Sequence, residues 1–92
     1  MLDKVKMALR MKGTSLDSDV QETIDACKAD LKLAGVQAGG LETGDTEPSD
    51  PLIRRAIILY AKATYDFEGQ GDRYQRAYDA LKMSIMLAGD YQ

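Results

Sequence analysis

Histidine and tryptophan are absent from this sequence, and cysteine and phenylalanine occur once each. Without histidine there is no Ser–His or Cys–His pair and no imidazole metal ligand, which removes much hydrolase and metalloenzyme chemistry. A lone cysteine excludes an internal disulfide and suits a reducing compartment. No apolar run approaches the roughly 20 residues needed to span a bilayer, and "MLDKVKMALRMKG" lacks the apolar block of a secretory leader. Basic charge is scarce too, with 12 Lys and Arg against 15 Asp and Glu for a net charge of −3. That balance argues against a dedicated nucleic-acid binder, whose affinity comes largely from neutralising phosphates, although it leaves room for a local basic patch.

What is present is the composition of an ordinary soluble domain, 45% hydrophobic and 29% charged over 92 residues. A chain of this size forms one small domain that hides only ~60% of its unfolded surface. Its apolar spacing predicts an all-α fold, a small four-helix domain with helices at about 2–12, 18–34, 50–67 and 72–88 and no strand. The first helix places Leu2, Val5 and Leu9 on one face and stops at Gly13. Ser18, with Gln21 three residues on, has the spacing of a capping box for the second helix. There Val20, Ile24, Cys27, Leu31 and Ala34 form a narrow stripe, ended by Gly35. Residues 36–49, "VQAGGLETGDTEPS", have no period of either kind and read as a long, mobile, irregular loop between the second and third helices. Asp50 or Ser49 caps the third helix, with Pro51 at its first position.

Two helices carry apolar residues on opposite sides. In the third, Leu52, Ile53, Ala56, Leu59, Tyr60, Ala63 and Phe67 make a broad inner face, and Arg54, Ile58, Ala61 and Tyr65 make a second stripe. In the fourth, Tyr74, Tyr78, Leu81, Ile85 and Ala88 face inward, while Ala80, Met83, Met86 and Leu87 cluster on the far side. Met7 and Met11 point away from the inner face of the first helix. A helix with two apolar faces is either central in its domain or shared with a partner, and exposed apolar clusters are more often contacts than decoration. Met7, Met11, Ile58, Tyr65, Met83, Met86 and Leu87 are therefore candidate interface residues, with core packing as the alternative. Arg54 and Arg55 join them, because cations are disfavoured in the first turns of a helix by ~0.3–1 kcal/mol. An ionic contact to the acids Glu42, Asp45 and Glu47 of another subunit would explain their position, as would ordinary surface solubility.

No catalytic constellation emerges, and no cofactor or metal is expected. Cys27 lies on the inner stripe, the place of a packing thiol rather than a nucleophile. "GQGD" at 69–72 lacks the third glycine and the preceding strand of a phosphate-binding turn. "LDSDVQE" groups Asp17, Asp19 and Glu22 but lacks the glycine and late glutamate of a calcium loop. A DNA-reading helix-turn-helix would need a basic recognition helix, whereas the second helix sets Asp19, Glu22, Asp25 and Asp30 against Lys28 and Lys32. A small helical DNA-binding or regulatory protein remains the alternative class of function.

The order of elements, with Leu33-Ala34-Gly35-Val36 leaving the second helix and Asp50-Pro51-Leu52-Ile53 and Ala56-Ile57 opening the third, resembles the small head–tail connector proteins of long-tailed double-stranded DNA phages. The resemblance runs over nearly the whole chain; "MKGTSLDSD" and the closing "ALKMSIMLAGDYQ" depart from the commoner family pattern. It implies a non-enzymatic virion subunit, assembled in the host cytoplasm, that forms a homo-oligomeric ring between the portal protein and the next head-completion or tail protein. DNA would be non-specific cargo in the channel, no membrane would be involved, and Glu42, Asp45 and Glu47 would sit on a loop that lines the channel or orders against a neighbour.

Overall fold

The computed structural model describes residues 1–91. Four α-helices follow one another, α1 (Leu2–Ala8), α2 (Asp17–Leu33), α3 (Pro51–Thr64) and α4 (Gly71–Leu87), with short 3₁₀ turns at Phe67–Gly69 and Gly89–Tyr91. No strand occurs among the described residues. The fold is all-α, with an irregular segment filling the gap between α2 and α3.

α3 starts as its sequence dictates. Asp50 Oδ1 accepts the Leu52 backbone N–H at 2.8 Å, and Pro51 occupies the first turn. The α2 exit also follows the expected form, with Gly35 at φ 92° and the Val36 and Gly35 N–H groups returning to the Leu31 and Lys32 carbonyls at 3.0 Å each. Those two hydrogen bonds close the last turn, and the buried pair Val36 and Leu31 seals it.

Three helix ends differ from expectation. α1 stops at Ala8 rather than near Lys12, because Arg10 takes the left-handed conformation (φ 57°) that the sequence reserves for Gly13. The Arg10 and Met11 N–H groups return to Met7 and Lys6 carbonyls at 3.1 and 2.9 Å, the same closure as at α2. α2 begins at Asp17 behind Leu16, without a side-chain cap. Ser18 is inside the helix, and Gln21 reaches Asp25 Oδ1 (3.1 Å) and the Gly44 carbonyl (3.0 Å) instead of closing a capping box. α3 ends at Thr64, short of Phe67, where Asp66 turns left-handed (φ 47°) and its Oδ1 accepts the Gly71 N–H at 2.8 Å. One side chain thus ends α3 and opens α4.

α3 is the hub, packing most extensively on α4, then on α2 and α1. Its buried residues, Ile53, Ala56, Ile57, Leu59 and Ala61, cover an arc of about 200° at 100° per residue. This central position is why the helix reads as two-faced: Ala61, from the second stripe, is buried, while Leu52, assigned to the inner face, is exposed and Ile57 takes its place. Tyr60 and Tyr78 meet edge to face, ring centroids 5.2 Å apart, where α3 and α4 join.

Candidate functional surface

The segment between α2 and α3 is irregular but pinned. Val36, Leu41 and Pro48 are buried, and Lys28 reaches out of α2 to hold the chain from inside. Its ammonium donates to the carbonyls of Glu42 (3.1 Å), Gly44 (2.8 Å) and Thr46 (2.8 Å), and the residue is only 1% exposed. A buried cation is tolerable when every proton has an acceptor. Three carbonyls match the three N–H bonds of lysine, so the loop is a cage for this one charge. Asp25 completes the attachment by accepting the Gly44 N–H at 3.1 Å. The expected mobile loop is therefore fastened at several points, and Lys28, which the sequence shows only as one of two lysines set against the acids of the second helix, is the residue that fastens it.

The loop acids divide. Asp45 Oδ1 accepts the Leu2 N–H at 3.1 Å and lies 3.4 Å from the α-amino group of Met1. The backbone bond and then that charge hold its carboxyl below the usual range. Glu47 pairs with Lys4 at 2.9 Å, and this bond lowers its carboxyl in the same way. Both acids thus strap α1 to the loop of their own chain. Glu42 is exposed and its carboxylate makes no ion pair among the described residues.

The arginines divide too. Arg54 donates to the Pro48 and Ser49 carbonyls at 3.1 and 2.7 Å, closing the loop onto α3, so its odd position in the first turn has a use inside the chain. Arg55 is exposed and makes no such bond.

Among the apolar candidates, Met11, Ile58, Tyr65 and Met86 are partly buried and pack against the core; Tyr65 also donates its hydroxyl proton to Asp19. Met7 (78% exposed), Met83 (55%) and Leu87 (76%) stand in solvent. The structure adds Leu33, the most exposed large apolar residue at 89%, together with Leu16 and Leu52. Leu33 escaped notice because it sits beside the helix exit "LAGV", where a leucine reads as part of the stop.

α2 and α4 are tied by a polar ladder. The Cys27 thiol meets the Tyr78 hydroxyl at 3.8 Å, that hydroxyl donates to Asp30 Oδ2 at 2.6 Å, and Lys82 Nζ donates to the same oxygen at 3.1 Å. Burial pushes the Cys27 thiol up to about 12 and raises the Tyr78 hydroxyl, so Cys27 is inert as a nucleophile. The Tyr78 hydrogen bond holds Asp30 below its ordinary value. Among the described residues no group of three Cys, Asp or Glu side chains could hold a metal ion, and no helix is long and apolar enough to cross a membrane.

The described residues form an all-helical body with a buried core, a strapped loop and apolar side chains left outside on several helices. The profile of the phage connector protein family matches residues 1–92, and the chain belongs to that family. It is thereby a structural protein of the phage virion, one that meets other head or tail proteins. No curated protein and no solved structure is significantly similar to it.

Proposed function

We propose that this chain is a head–tail connector subunit that assembles into a ring between the portal and the tail, completes the head after DNA packaging and extends the DNA channel. The observation that carries the reading is the family match over all 92 residues. Support comes from Met7, Met83 and Leu87, which stay outside although the core is already filled. Arg55 belongs with them as an outward contact, whereas Met11, Arg54, Ile58, Tyr65 and Met86 serve the fold first. Of the loop acids, Glu42 is the channel-facing candidate, and Asp45 and Glu47 hold α1.

Deleting the gene from its phage and examining the particles tests the reading. DNA-filled heads without tails, rescued by the chain supplied in trans, are expected. Normal tailed particles would overturn it. Tight duplex DNA binding with a steep salt dependence would instead favour a regulatory protein.

A further inference from the structure

α2 and α4 are both 17 residues long, and they run in the same direction. Cys27 meets Tyr78, Asp30 meets Tyr78 and Lys82, and the Gln37 N–H meets the Tyr91 carbonyl at 2.7 Å. Pairings that rise together along both segments give the two helices the same direction.

Their outward faces repeat one pattern. On α2, Glu22, Ala26, Ala29 and Leu33 follow steps of four, three and four, and all are exposed. On α4, Arg76, Ala80, Met83 and Leu87 follow the same steps and are exposed as well. At 100° per residue each set falls within about 60° of arc and lies roughly opposite the buried stripe of its helix. Each face has a charge at its N-terminal end, small or flexible residues in the middle and a leucine at its C-terminal end. The charges have opposite sign.

We infer that these two faces are the two halves of one contact, with α2 of one copy lying parallel to α4 of the next. Glu22 then meets Arg76, Ala26 meets Ala80, Ala29 meets Met83 and Leu33 meets Leu87. The alanines let the helix axes approach closely. An antiparallel arrangement would set Glu22 against Leu87 and Arg76 against Leu33, burying each charge on an apolar side chain. Asp79, on the flank of the α4 face, accepts a hydrogen bond from Gln75 at 3.0 Å.

Because the two faces are different surfaces of one chain, the contact is head-to-tail and propagates. α2 and α4 run in the same sense within the subunit and across the contact, so successive copies keep one polarity, as the subunits of a ring do. The inference rests on the connector reading and assigns the surfaces by which that ring closes. A stripe of 11 residues' length spans only ~16 Å, so the contact is small and forms where the portal gathers the subunits.

Directed cross-linking in assembled phage tests it. Ala26→Cys and Ala80→Cys are placed in the same chain, and the particles are oxidised and run without reductant. Cys27 is buried and stays out of the reaction. A ladder of multimers is expected from the double variant and none from either single variant. Particles that contain the chain and a ring, but give no ladder, overturn the interface and leave the connector reading intact. Particles that never contain the chain overturn both. Charge reversal gives an independent check on purified ring or portal complex. Arg76→Glu alone is expected to reduce incorporation at least 10-fold, and adding Glu22→Arg to restore it. Failure of the pair to rescue, with both variants folded by circular dichroism, would overturn the proposal.

Discussion

Lys28 and Leu33 stand five residues apart on one helix, and their environments are the reverse of what their chemistry suggests. The lysine is buried and the leucine is out in water. On the loop flank of α2 a charge is enclosed because the irregular chain offers it three carbonyls. On the outer face a large apolar side chain stays exposed because no described residue covers it. The first arrangement is complete within the chain, and the second is the one the proposed contact would cover. The contrast separates residues that build the subunit from those that the proposal assigns to a neighbour.

The sharpest way to break this contrast is Lys28→Met. The substitution keeps much of the buried stem and removes the ammonium, leaving the Glu42, Gly44 and Thr46 carbonyls without their donor. A loss of about 2–4 kcal/mol is expected, read as a lower denaturant midpoint, with new protease cleavage within 36–49. Unchanged stability would mean that the cage contributes nothing.

Next comes Tyr78→Phe, which cuts the ladder between α2 and α4 and is expected to cost about 1–2 kcal/mol. The same ladder contributes to the alkaline limit. Cys27 and Tyr78 have folded values raised above their unfolded ones, so the stability they lend is complete below about pH 9 and falls as pH climbs toward 12. Tyr78→Phe should flatten part of that decline in a series of melts. Acid acts in the opposite sense. Asp30 and Asp50 are depressed, chiefly by the hydroxyls of Tyr78 and Tyr91. Their contribution is present above their ordinary range near pH 4 and is lost as pH drops through their lower folded values. Asp30→Asn should make the acid limb of the stability profile shallower.

The smallest effect on the isolated chain sharpens the other side of the contrast. Leu33→Ser is expected to change stability by no more than about 0.5 kcal/mol. It should nevertheless lower incorporation into particles. A strong loss of stability would place Leu33 in the subunit's own core.

Much of this fold was legible in advance because it depends on neighbours in sequence. The Asp50-Pro51 start, the Gly35 exit and the inward stripes of α2 and α4 are local or periodic signals, and each produced its element. The failures share a different origin. Ser18 and Gln21 have capping-box spacing, but Gln21 is claimed by Gly44, 23 residues away. Gly13 looked like the end of α1, yet Arg10 turns the chain earlier, where its guanidinium meets Glu68 at 3.4 Å and lies over the Phe67 ring. Lys28 could not be singled out because nothing beside it in sequence announces three carbonyls arriving from residues 42–46. The exposed apolar surface was half legible. Met7, Met83 and Leu87 stood out by their spacing, while Ile58 and Tyr65 obey the same spacing and are partly buried against the core. Periodicity says that a helix has two faces; only packing says which of them is already covered.

The three carbonyls around Lys28 also have a consequence for how the protein opens. The segment they form carries Asp45 and Glu47, and these in turn hold Met1, Leu2 and Lys4. Detaching the ammonium therefore loosens α1 as well, although no side chain of α1 touches Lys28 directly in this network. Loop and first helix should behave as one cooperative unit, separate from the α2–α3–α4 body. Their slow backbone amides are then expected to exchange with deuterium at a common free energy below that of global unfolding.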